Sequence, residues 1–407
     1  MKLLVSAYAC APEGAAEDRL GWNWVRALVR CGNYVHVITS GRNRAAIERS
    51  RLGRSYELTF HYCDLRGPLD ALQRLPGMGF LHYLLWQWGA YRLARHLHEF
   101  EKFQRVHHIT IGSCLRPSFL GRLGIPFVFG PVMGGGSTPA NLRRGIRLRS
   151  RFREAMHDWS AAIVALNPLM RATFAHAKVI ACATGDTLAL IPKRFRAKCI
   201  VQAAAGVEED EIAAAPQSHP PAARFLFVGT LRYESGLHLA LSALARVRRE
   251  LPHATLRVVG KGDGEDWLRN CAIADGVMSA VEWSSTTASG ELAEAYRGSV
   301  ALVSPGFHDS GSGVLQALAA GLPVICLDLG GPGEATTSDC ACVVKTEHAS
   351  EAAVVRSMAE AMILLATNPM LRARFSANAL VRAHQLTWDR AARAVSASVE
   401  LLNQNVW

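Results

Sequence analysis

The residues with the clearest chemical potential lie in a Gly/Ser-rich loop that follows an apolar run in the second half of the chain. His308 and Asp309 place an imidazole and a carboxylate there. Ligands of parallel α/β sheets bind at the carboxyl ends of strands, which favours a functional role for both side chains, although loop polarity alone would also permit them. The loop enters a predicted helix through further candidate ligand contacts: Gly311, Ser312, Gly313, Val314 and Gln316.

Two earlier turns also combine an apolar run, glycine and a helix-like stretch. Gly229 and Thr230 follow the run from Arg224, and Lys261 lies between two glycines after the next run. A helix N-terminus offers unpaired N–H groups and a positive dipole to a phosphate. Glycine also occurs in such turns simply because the backbone there has a positive φ. One such turn is therefore a weak signal, and only the two turns together predict an anion site.

Short apolar runs bounded by turn residues alternate with helix-length stretches along the whole chain. This pattern predicts parallel sheets covered by helices, an α/β fold of the doubly wound type. The predicted strands of the first half begin at Lys2, Tyr34, Tyr56, Arg105, Pro126, Ala161, Lys178 and Cys199. Those of the second half begin at Arg224, Ala254, Val277, Ser299, Pro323 and Ala341.

The chain of 407 residues is too long for one ordinary core, and half of its residues are hydrophobic. Residues 213–223, AAAPQSHPPAA, have no periodicity and read as an exposed linker. We therefore expect an N-terminal domain over 1–205 and a C-terminal domain over 206–385. Two such doubly wound domains, facing each other, would form a cleft between them.

Charge divides the two halves. Residues 1–200 carry 29 Lys and Arg against 12 Asp and Glu, a balance of +17, whereas the remainder has a balance of −6. The excess predicts an anionic partner for the first half, with a solvated arginine-rich surface as the alternative. Ten scattered cysteines without a CxxC pair favour a reducing compartment. No apolar stretch is long enough to span a membrane, and the short apolar start reads as a strand. We expect a cytoplasmic protein.

Two basic segments suggest where an anionic partner would bind. Residues 79–100 mix aromatic residues with Arg and His at near-helical spacing, and residues 142–153 contain six arginines. Such segments suit the anionic inner face of a cell membrane or a diphosphate-lipid acceptor. A helix packed on the sheet is the alternative for 79–100. The second segment has too few aromatic residues for a nucleic-acid platform, and we expect no nucleic-acid partner.

The chain resembles, as a divergent member, the retaining glycosyltransferases of family 4, which have the GT-B fold of two Rossmann-like domains. The resemblance is carried by AGLPVI (320–325), Gly330–Gly331, VGT (228–230) and the Ser304–Pro305 turn. It extends to SAYACAP (6–12), LGWNW (20–24), FGPVMGGG (129–136) and LTWDRAA (386–392). The last segment is similar to the family's terminal helix, which implies that 386–407 cross back to the N-terminal domain.

This resemblance implies transfer of a sugar from a nucleotide-sugar donor to a saccharide or lipid-linked acceptor with retention of anomeric configuration. The donor is a co-substrate, and the family needs neither a cofactor nor a metal ion. The C-terminal domain would bind the nucleotide and the N-terminal domain the acceptor. A catalytically degenerate binding protein is the alternative, as is a different enzyme on the same paired-domain plan.

The family's site pattern is only partly present. Two glutamates eight residues apart are usual in the loop and helix, and here His308 and Gln316 take these positions, with Asp309 as the nearby carboxylate. The usual diphosphate-binding Arg and Lys are replaced by Thr230 and Ser235. Arg232 and Lys261 are nearby cations that could substitute. The resemblance also implies His108 beside the donor sugar, and Gly21 in the first strand-to-helix loop, over the sugar and phosphate. A packed core histidine is the alternative for His108, and a plain turn glycine for Gly21.

Overall fold

The computed structural model describes residues 1–50, 53, 55–65, 67–72, 75, 77–136, 138–143, 154–155, 159, 163–164, 166–214, 223–285 and 289–404. The chain divides into two compact units. The first unit comprises Met1–Gly135, Trp159–Ala204 and Trp388–Trp407, and the second unit comprises Gly136–Asp158 and Ala205–Thr387.

The first unit is built on a seven-stranded sheet. Its strands are β1 (Lys2–Ala7), β2 (Tyr34–Thr39), β3 (Leu58–Tyr62), β4 (Arg105–Thr110), β5 (Phe127–Val132), β6 (Val179–Cys182) and β7 (Cys199–Val201). Its helices between β1 and β7 are α1 (Ala16–Arg30), α2 (Arg44–Arg49), α3 (Pro68–Ala71), α4 (Gly79–Glu101), α5 (Pro168–His176) and α6 (Gly185–Leu190).

The second unit is built on a six-stranded sheet. Its strands are β8 (Arg224–Val228), β9 (Thr255–Val259), β10 (Val281–Ser284), β11 (Ala301–Ser304), β12 (Val324–Leu327) and β13 (Ala341–Val344). Its helices are α7 (Leu237–Glu250), α8 (Glu265–Ala274), α9 (Ser289–Arg297), α10 (Ser312–Ala319), α11 (Gly330–Ala335), α12 (Glu351–Thr367) and α13 (Pro369–Gln385).

The two sheets share one strand order. The first runs β3-β2-β1-β4-β5-β6-β7 and the second β10-β9-β8-β11-β12-β13, and the registered strand pairs are parallel. In each sheet the order reverses between the first strand and the fourth, which creates a switch point where two loops diverge and a ligand can enter. The prediction of an α/β fold with two Rossmann-like, doubly wound sheets is confirmed.

The last helix, α14 (Trp388–Gln404), belongs to the first unit. Its Trp388 packs edge-to-face on Trp24 of α1, with ring centroids 6.0 Å apart. Trp24 is fully buried, and its indole N–H donates to the carbonyl oxygen of Ala204 at 2.8 Å. Burial of two large aromatic side chains gives this return of the chain a strong apolar driving force.

One segment that we expected within the 1–205 domain folds with the second unit instead. Gly136–Asp158 belongs to the second unit. Leu142 is completely buried in that unit's core, and its carbonyl oxygen accepts a 2.7 Å hydrogen bond from the hydroxyl of Tyr233. The Asn141 amide donates to the carbonyl oxygens of Thr346 and Ala349. These contacts, rather than position along the chain, decide where the segment folds.

The predicted strand at 161–168 is wrong. Residues 163, 164 and 166 are helical, and α5 begins at Pro168 after Asn167, whose side-chain oxygen caps the helix by accepting from the N–H groups of Leu169 and Met170. An apolar run of this length does not distinguish a strand from a buried helix, and the Asn-Pro cap decided in favour of the helix.

The arginine-rich segment and the expected linker fall partly outside the described residues. The residues concerned are 144–153 of the arginine-rich segment and 215–222 of the expected linker. The aromatic segment at 79–100 forms α4, which buries His82, Tyr83 and Trp86 and exposes Phe80 and Trp88. No helix among the described residues is long and apolar enough to cross a membrane.

Candidate functional site

The loops at the switch point of the second unit approach one another at the level of the backbone. Gly236 has φ +68° and immediately precedes α7. A Cβ atom at this position would overlap the carbonyl oxygen of Pro305 in the loop that follows β11. Only glycine permits both the left-handed conformation and this close approach, so the N-terminus of α7 is held against the β11 loop.

The loop after β9 is packed on the loop after β8 in the same way. A Cβ atom at Gly260 would overlap the carbonyl oxygen of Gly229, and one at Gly262 would overlap that of Leu231. Backbone hydrogen bonds join the two loops, from Gly229 to Val259 at 3.1 Å and from Leu231 to Lys261 at 3.0 Å. The two glycine-bearing turns of the sequence are thus one structural feature.

A second helix begins at the same edge. Gly311 has φ +81° and precedes α10, and its Cβ position lies 2.9 Å from the carbonyl carbon of Gly331. A Cβ at Gly331 would overlap Ser310. The N-termini of α7 and α10 therefore both lie beside the switch point, where their free N–H groups and dipoles favour an anion such as a phosphate. We call this arrangement the glycine cradle: Gly229, Gly236, Gly260, Gly262, Gly311 and Gly331.

Asp309 is tied into the cradle. Its carboxylate accepts from the N–H of Gly311 at 2.9 Å, and its carbonyl oxygen accepts from the N–H of Gly331 at 2.9 Å. Burial raises the pKa of Asp309, and hydrogen bonds from the Gly311 amide, the Ser304 hydroxyl and the Ser310 amide oppose that rise. The carboxyl group thus fixes the loop that starts α10.

His308 is held by a residue from the segment at 136–158. Its Nε2 lies 3.0 Å from Oε1 of Glu154 and 3.2 Å from the hydroxyl of Thr138. The Glu154 side chain is only 3% exposed. The Thr138 hydroxyl and amide both donate to its carboxylate, at 2.7 and 3.2 Å, and Arg143 Nη2 lies 3.7 Å away. A buried carboxylate is thereby fully hydrogen-bonded.

The charge state of Glu154 follows from these contacts. Burial alone would raise its pKa, but hydrogen bonds from His308 and Thr138 outweigh burial and lower the pKa to about 2. The carboxylate is therefore ionised throughout the physiological range. Glu154 and Thr138 were not predicted from the sequence, although one signal was present: Glu154 is the first acidic residue after Glu101, at the end of an arginine-rich stretch.

The expected diphosphate-binding cations are on the surface of the second unit. Arg232 is exposed, and its Nε lies 3.2 Å from Oδ1 of Asp263, while Lys261 is exposed. Thr230 is exposed as well, and the Ser235 hydroxyl donates to the carbonyl oxygen of Arg232 at 2.6 Å. All four residues belong to the loops that follow β8 and β9, and neither cation is buried there.

The start of α10 presents a mixed surface. Ser312 and Gln316 are exposed, whereas Val314 is buried. The carbonyl oxygen of Gly313 accepts a 3.1 Å hydrogen bond from the hydroxyl of Tyr296, and a Cβ at Gly313 would lie 3.5 Å from the carbonyl oxygen of Val228. Ser312 and Gln316 are available to a ligand, and Gly313 and Val314 keep the helix against the end of β8.

The two histidines of β4, His107 and His108, have the environment of core residues. His107 donates from Nε2 to the carbonyl oxygen of Gly130 at 2.7 Å, and His108 stacks on its cross-strand neighbour Phe129. Both are buried. Burial lowers the pKa of His107 to about 4 and that of His108 to about 3, so both imidazoles are neutral near pH 7. His108 lies inside β4, which continues to Thr110.

The placement of Gly21 in a strand-to-helix loop is wrong. Gly21 lies inside α1, which begins at Ala16, because the Asp18 carboxylate accepts the N–H of Ala15 at 3.1 Å and caps the helix early. A Cβ at Gly21 would overlap the carbonyl oxygen of Ala9 in the preceding loop. The glycine thus serves close packing of helix on loop. Among the described residues, no group of three or more His, Cys, Asp or Glu could hold a metal ion.

Most of the second unit is similar to a known protein family. Residues 208–382 match the family model of glycosyl transferases group 1. Within the curated proteins, glycogen synthase of Mycobacterium tuberculosis is 37% identical over 121 residues, which cover 30% of this chain and 29% of that protein. The match therefore spans less than a third of the length of that relative.

Solved structures resemble the chain over nearly its full length. The sucrose-phosphate synthase of Thermosynechococcus elongatus is 15% identical with a TM-score of 0.67, covering 99% of both chains. Anabaena HepE, solved in complex with UDP and glucose, is 11% identical with a TM-score of 0.60, covering 100% of both. At these identities the likeness shows the fold, which is the GT-B class of two Rossmann-like domains.

Proposed function

We propose that this protein is a glycosyltransferase of the family 4 type, which moves a sugar from a nucleoside diphosphate donor to a saccharide or lipid-linked acceptor with retention of configuration. The observation that carries the proposal is the glycine cradle, which lies within the matched segment 208–382 and brings two helix N-termini to one switch point. Such an edge is suited to a diphosphate.

The chemistry proposed for the cradle needs neither a metal ion nor a cofactor. The dipoles and N–H groups of α7 and α10 would stabilise the charge that develops on the departing diphosphate. His308 and Asp309 lie in the loop that follows β11 and would contact the donor sugar. Gln316 would accept from the ribose through its amide oxygen. The donor phosphate itself would take the proton of the acceptor hydroxyl, which attacks the face that the leaving group vacates.

One observation favours the alternative of a binding protein without turnover. Arg232 is paired with Asp263, and Thr230 and Ser235 stand where the family has its phosphate-binding cations. A diphosphate held chiefly by helix N-termini would bind more weakly than one that also has two charged hydrogen bonds, each of which contributes roughly 1.5 to 3 kcal/mol. Weak binding without transfer would be the signature of this alternative.

We further propose that the first unit binds the acceptor at an anionic surface on the cytoplasmic side of a membrane. The basic balance of residues 1–200 supports this proposal. So do the exposed Phe80, Trp88 and Phe100 on α4, since such side chains insert into the interface of a lipid bilayer. The free state of all ten cysteines agrees with a reducing compartment.

Titration of the full chain with UDP, GDP and their sugar conjugates, followed by transfer of radiolabelled sugar to crude membranes, tests the proposal. We expect one nucleotide series to bind at micromolar to millimolar concentration and its sugar to be transferred. Binding without transfer would support the binding-protein alternative. Failure of every nucleotide to bind would contradict both. For an active enzyme, the anomeric signal of the product in proton NMR tests retention.

A further inference from the structure

Three cysteine thiols of the first unit lie close together at the edge of its sheet. Cys182 ends β6, Cys199 begins β7, and Cys114 lies in the loop after β4. The register pairs Ile180 with Cys199 and Cys182 with Val201, so Cys182 and Cys199 lie on the same face of two neighbouring strands. Cys114 and Cys182 are part of one apolar core, and Cys199 packs against that core.

The thiols of Cys182 and Cys199 are joined by a hydrogen bond. Cys182 is completely buried, whereas Cys199 is partly exposed. Sγ of Cys199 also lies 3.5 Å from the carbonyl oxygen of Phe195, in the turn that precedes β7. One sulfur of the pair is therefore reachable from solvent, and the other is held behind it within hydrogen-bonding distance.

The surroundings of the pair favour negative charge on the outer sulfur. The hydrogen bond from Cys182 lowers the pKa of the Cys199 thiol, burial opposes this change, and the charge of Arg196 adds to the lowering. Arg196 is fixed in place, because its guanidinium donates to the carbonyl oxygens of Ile191 and Ala189 at 2.9 and 2.6 Å. The same hydrogen bond, together with burial, raises the pKa of the Cys182 thiol. Cys199 thus forms the thiolate, and Cys182 keeps its hydrogen.

We propose that Cys199 is an oxidation site for hydrogen peroxide and that Cys182 converts the product to a disulfide. First, the Cys199 thiolate attacks one oxygen of the peroxide, the O–O bond breaks, and Cys199 becomes a sulfenic acid while hydroxide leaves. The Cys182 thiol then attacks the sulfenic sulfur, the S–S bond forms, and water leaves. The two sulfurs lose two electrons in total, which reduce the peroxide. Neither step depends on the sugar chemistry proposed above.

Closure of the disulfide requires a movement of β7. An offset of two residues between neighbouring strands separates the two Cα atoms by roughly 8 Å, whereas a disulfide usually spans at most about 6.8 Å. β7 is three residues long and has one neighbour in the sheet, so a shift along β6 breaks few backbone hydrogen bonds. A disulfide that forms only with such a shift is easily reduced, which makes the modification reversible.

The movement would reach the glycine-rich segment at 129–136. Helix α6 begins at Gly185, shortly after Cys182, and the hydroxyl of its Thr187 donates to the carbonyl oxygen of Gly134 at 2.6 Å. On the other side, the Cβ position of Gly134 lies 3.4 Å from the Cβ atom of Cys114. Oxidation at the sheet edge would therefore loosen both β7 and the packing of Gly134.

Competitive labelling of the full, reduced chain tests the reactivity of Cys199. The protein is treated at pH 7 with limiting iodoacetamide, and the labelled peptides are quantified by mass spectrometry. Cys63 is the internal control, because it is also partly exposed but burial raises the pKa of its thiol to about 11. We expect Cys199 to be labelled at least ~10-fold faster than Cys63, since the thiolate is the reacting form. Equal rates would overturn the proposal.

Hydrogen peroxide tests the pair itself. We expect the treated chain to lose two hydrogen atoms, to contain a peptide link between Cys182 and Cys199, and to return to the reduced mass with dithiothreitol. Hydrogen exchange of the oxidised chain should be faster at 199–203 and 130–136 and unchanged in β8 of the second unit. A sulfenic acid that persists on Cys199 of the wild type, or a link through other cysteines, would contradict the assigned pair.

Two variants of the inner cysteine separate its two roles. Cys182→Ser keeps a hydroxyl that can donate to Cys199, so the labelling rate should stay within about twofold, while peroxide should leave a sulfenic acid that dimedone traps. Cys182→Ala removes the donor and should slow labelling of Cys199 roughly tenfold. Cys63→Ser is the matched control and should change neither result. Equal labelling of Cys199 in wild type, Cys182→Ser and Cys182→Ala would show that Cys182 does not activate it and would overturn the proposal.

Discussion

The two units share a strand order but differ at their switch points. In the second unit, α7 and α10 begin directly after Gly236 and Gly311, two glycines with positive φ. In the first unit, α1 starts at Ala16, nine residues beyond the end of β1 at Ala7, and the middle of β4 is filled by buried His107 and His108. The same strand order thus accompanies two helices that begin after glycines in the second unit, and a strand filled with buried imidazole rings in the first unit.

This difference teaches that strand order alone does not make a phosphate site. The order creates a place where two loops diverge. An anion can be held there only if helix N-termini reach it, and this requires backbone-to-backbone approach that a Cβ atom would prevent. In this protein the second unit meets that condition, and residues 208–382 of the same unit match the glycosyltransferase family model.

The largest expected effect comes from closing the cradle. Gly236→Ala would force a methyl group into the carbonyl oxygen of Pro305, so we expect nucleotide affinity to fall at least ~100-fold and the melting temperature of the second unit to drop markedly. Gly276→Ala is a matched control: φ is +70°, nearly that of Gly236, but nothing lies within 4 Å of its Cβ position. The control should cost only the left-handed strain of about 1 to 2 kcal/mol. Equal effects in both variants would contradict the cradle.

The next effect concerns the loop carboxylate. Asp309→Ala removes the acceptor for the Gly311 N–H and a charge beside the donor sugar, and we expect sugar transfer to fall by at least ~10²-fold with the fold intact. Asp309→Asn keeps an oxygen for Gly311 and should retain nucleotide affinity while losing part of the rate. Initial rates with saturating donor measure this. Turnover in Asp309→Ala equal to wild type would show that the carboxylate is incidental.

A third prediction concerns acid sensitivity of the first unit. The folded-state pKa of His108, about 3, is below its unfolded value near 6.5, so the unfolded chain binds more protons between these values and stability falls as pH drops from 6.5 towards 3. At pH 5, protonation of His108 in the unfolded chain lowers the free energy of unfolding by ~2 kcal/mol. His108→Leu should therefore reduce the stability difference between pH 7.5 and pH 5 by about that amount, measured by denaturant unfolding, whereas the contribution of His107 remains.

The control for that experiment is His253→Leu, which removes an exposed histidine of the second unit. It should leave the pH dependence of unfolding as in the wild type. A second readout tests the role that the resemblance implied for His108: nucleotide affinity should be unchanged in His108→Leu. Loss of sugar transfer at pH 7.5, in a variant that is as stable as the wild type, would instead indicate a catalytic role.

The smallest expected effect belongs to the exposed cations. Arg232→Ala and Lys261→Ala should each weaken UDP binding roughly threefold to tenfold and leave uridine unaffected, because both side chains are exposed and solvent screens their charge. Thr230→Arg with Ser235→Lys should tighten UDP binding if the cradle is formed. Calorimetry with UDP and uridine measures all four changes. If no variant distinguishes the two ligands, the helix N-termini hold the diphosphate alone.

The fold class and most of the order of the elements followed from the sequence alone. Runs such as RFLFV at 224–228 and YVHVIT at 34–39 are continuous apolar strands, and their spacing leaves room for crossover helices, so a doubly wound parallel arrangement follows from local pattern. Local pattern also identified the loop at His308 and Asp309, since a polar, glycine-rich segment after a buried strand marks a strand end.

Which residues meet at that strand end became apparent only from the folded chain. Glu154 is 154 positions apart from His308 in the chain, and nothing periodic in the sequence links an arginine-rich segment to a loop of the other half. The same holds for Gly21, whose role depends on a carbonyl oxygen from a different element, and for the strand predicted at 161–168, where a helix cap prevailed. Periodicity reports the surroundings of a residue along its own element, whereas a site is made of long-range contacts, which exist only once the chain has folded.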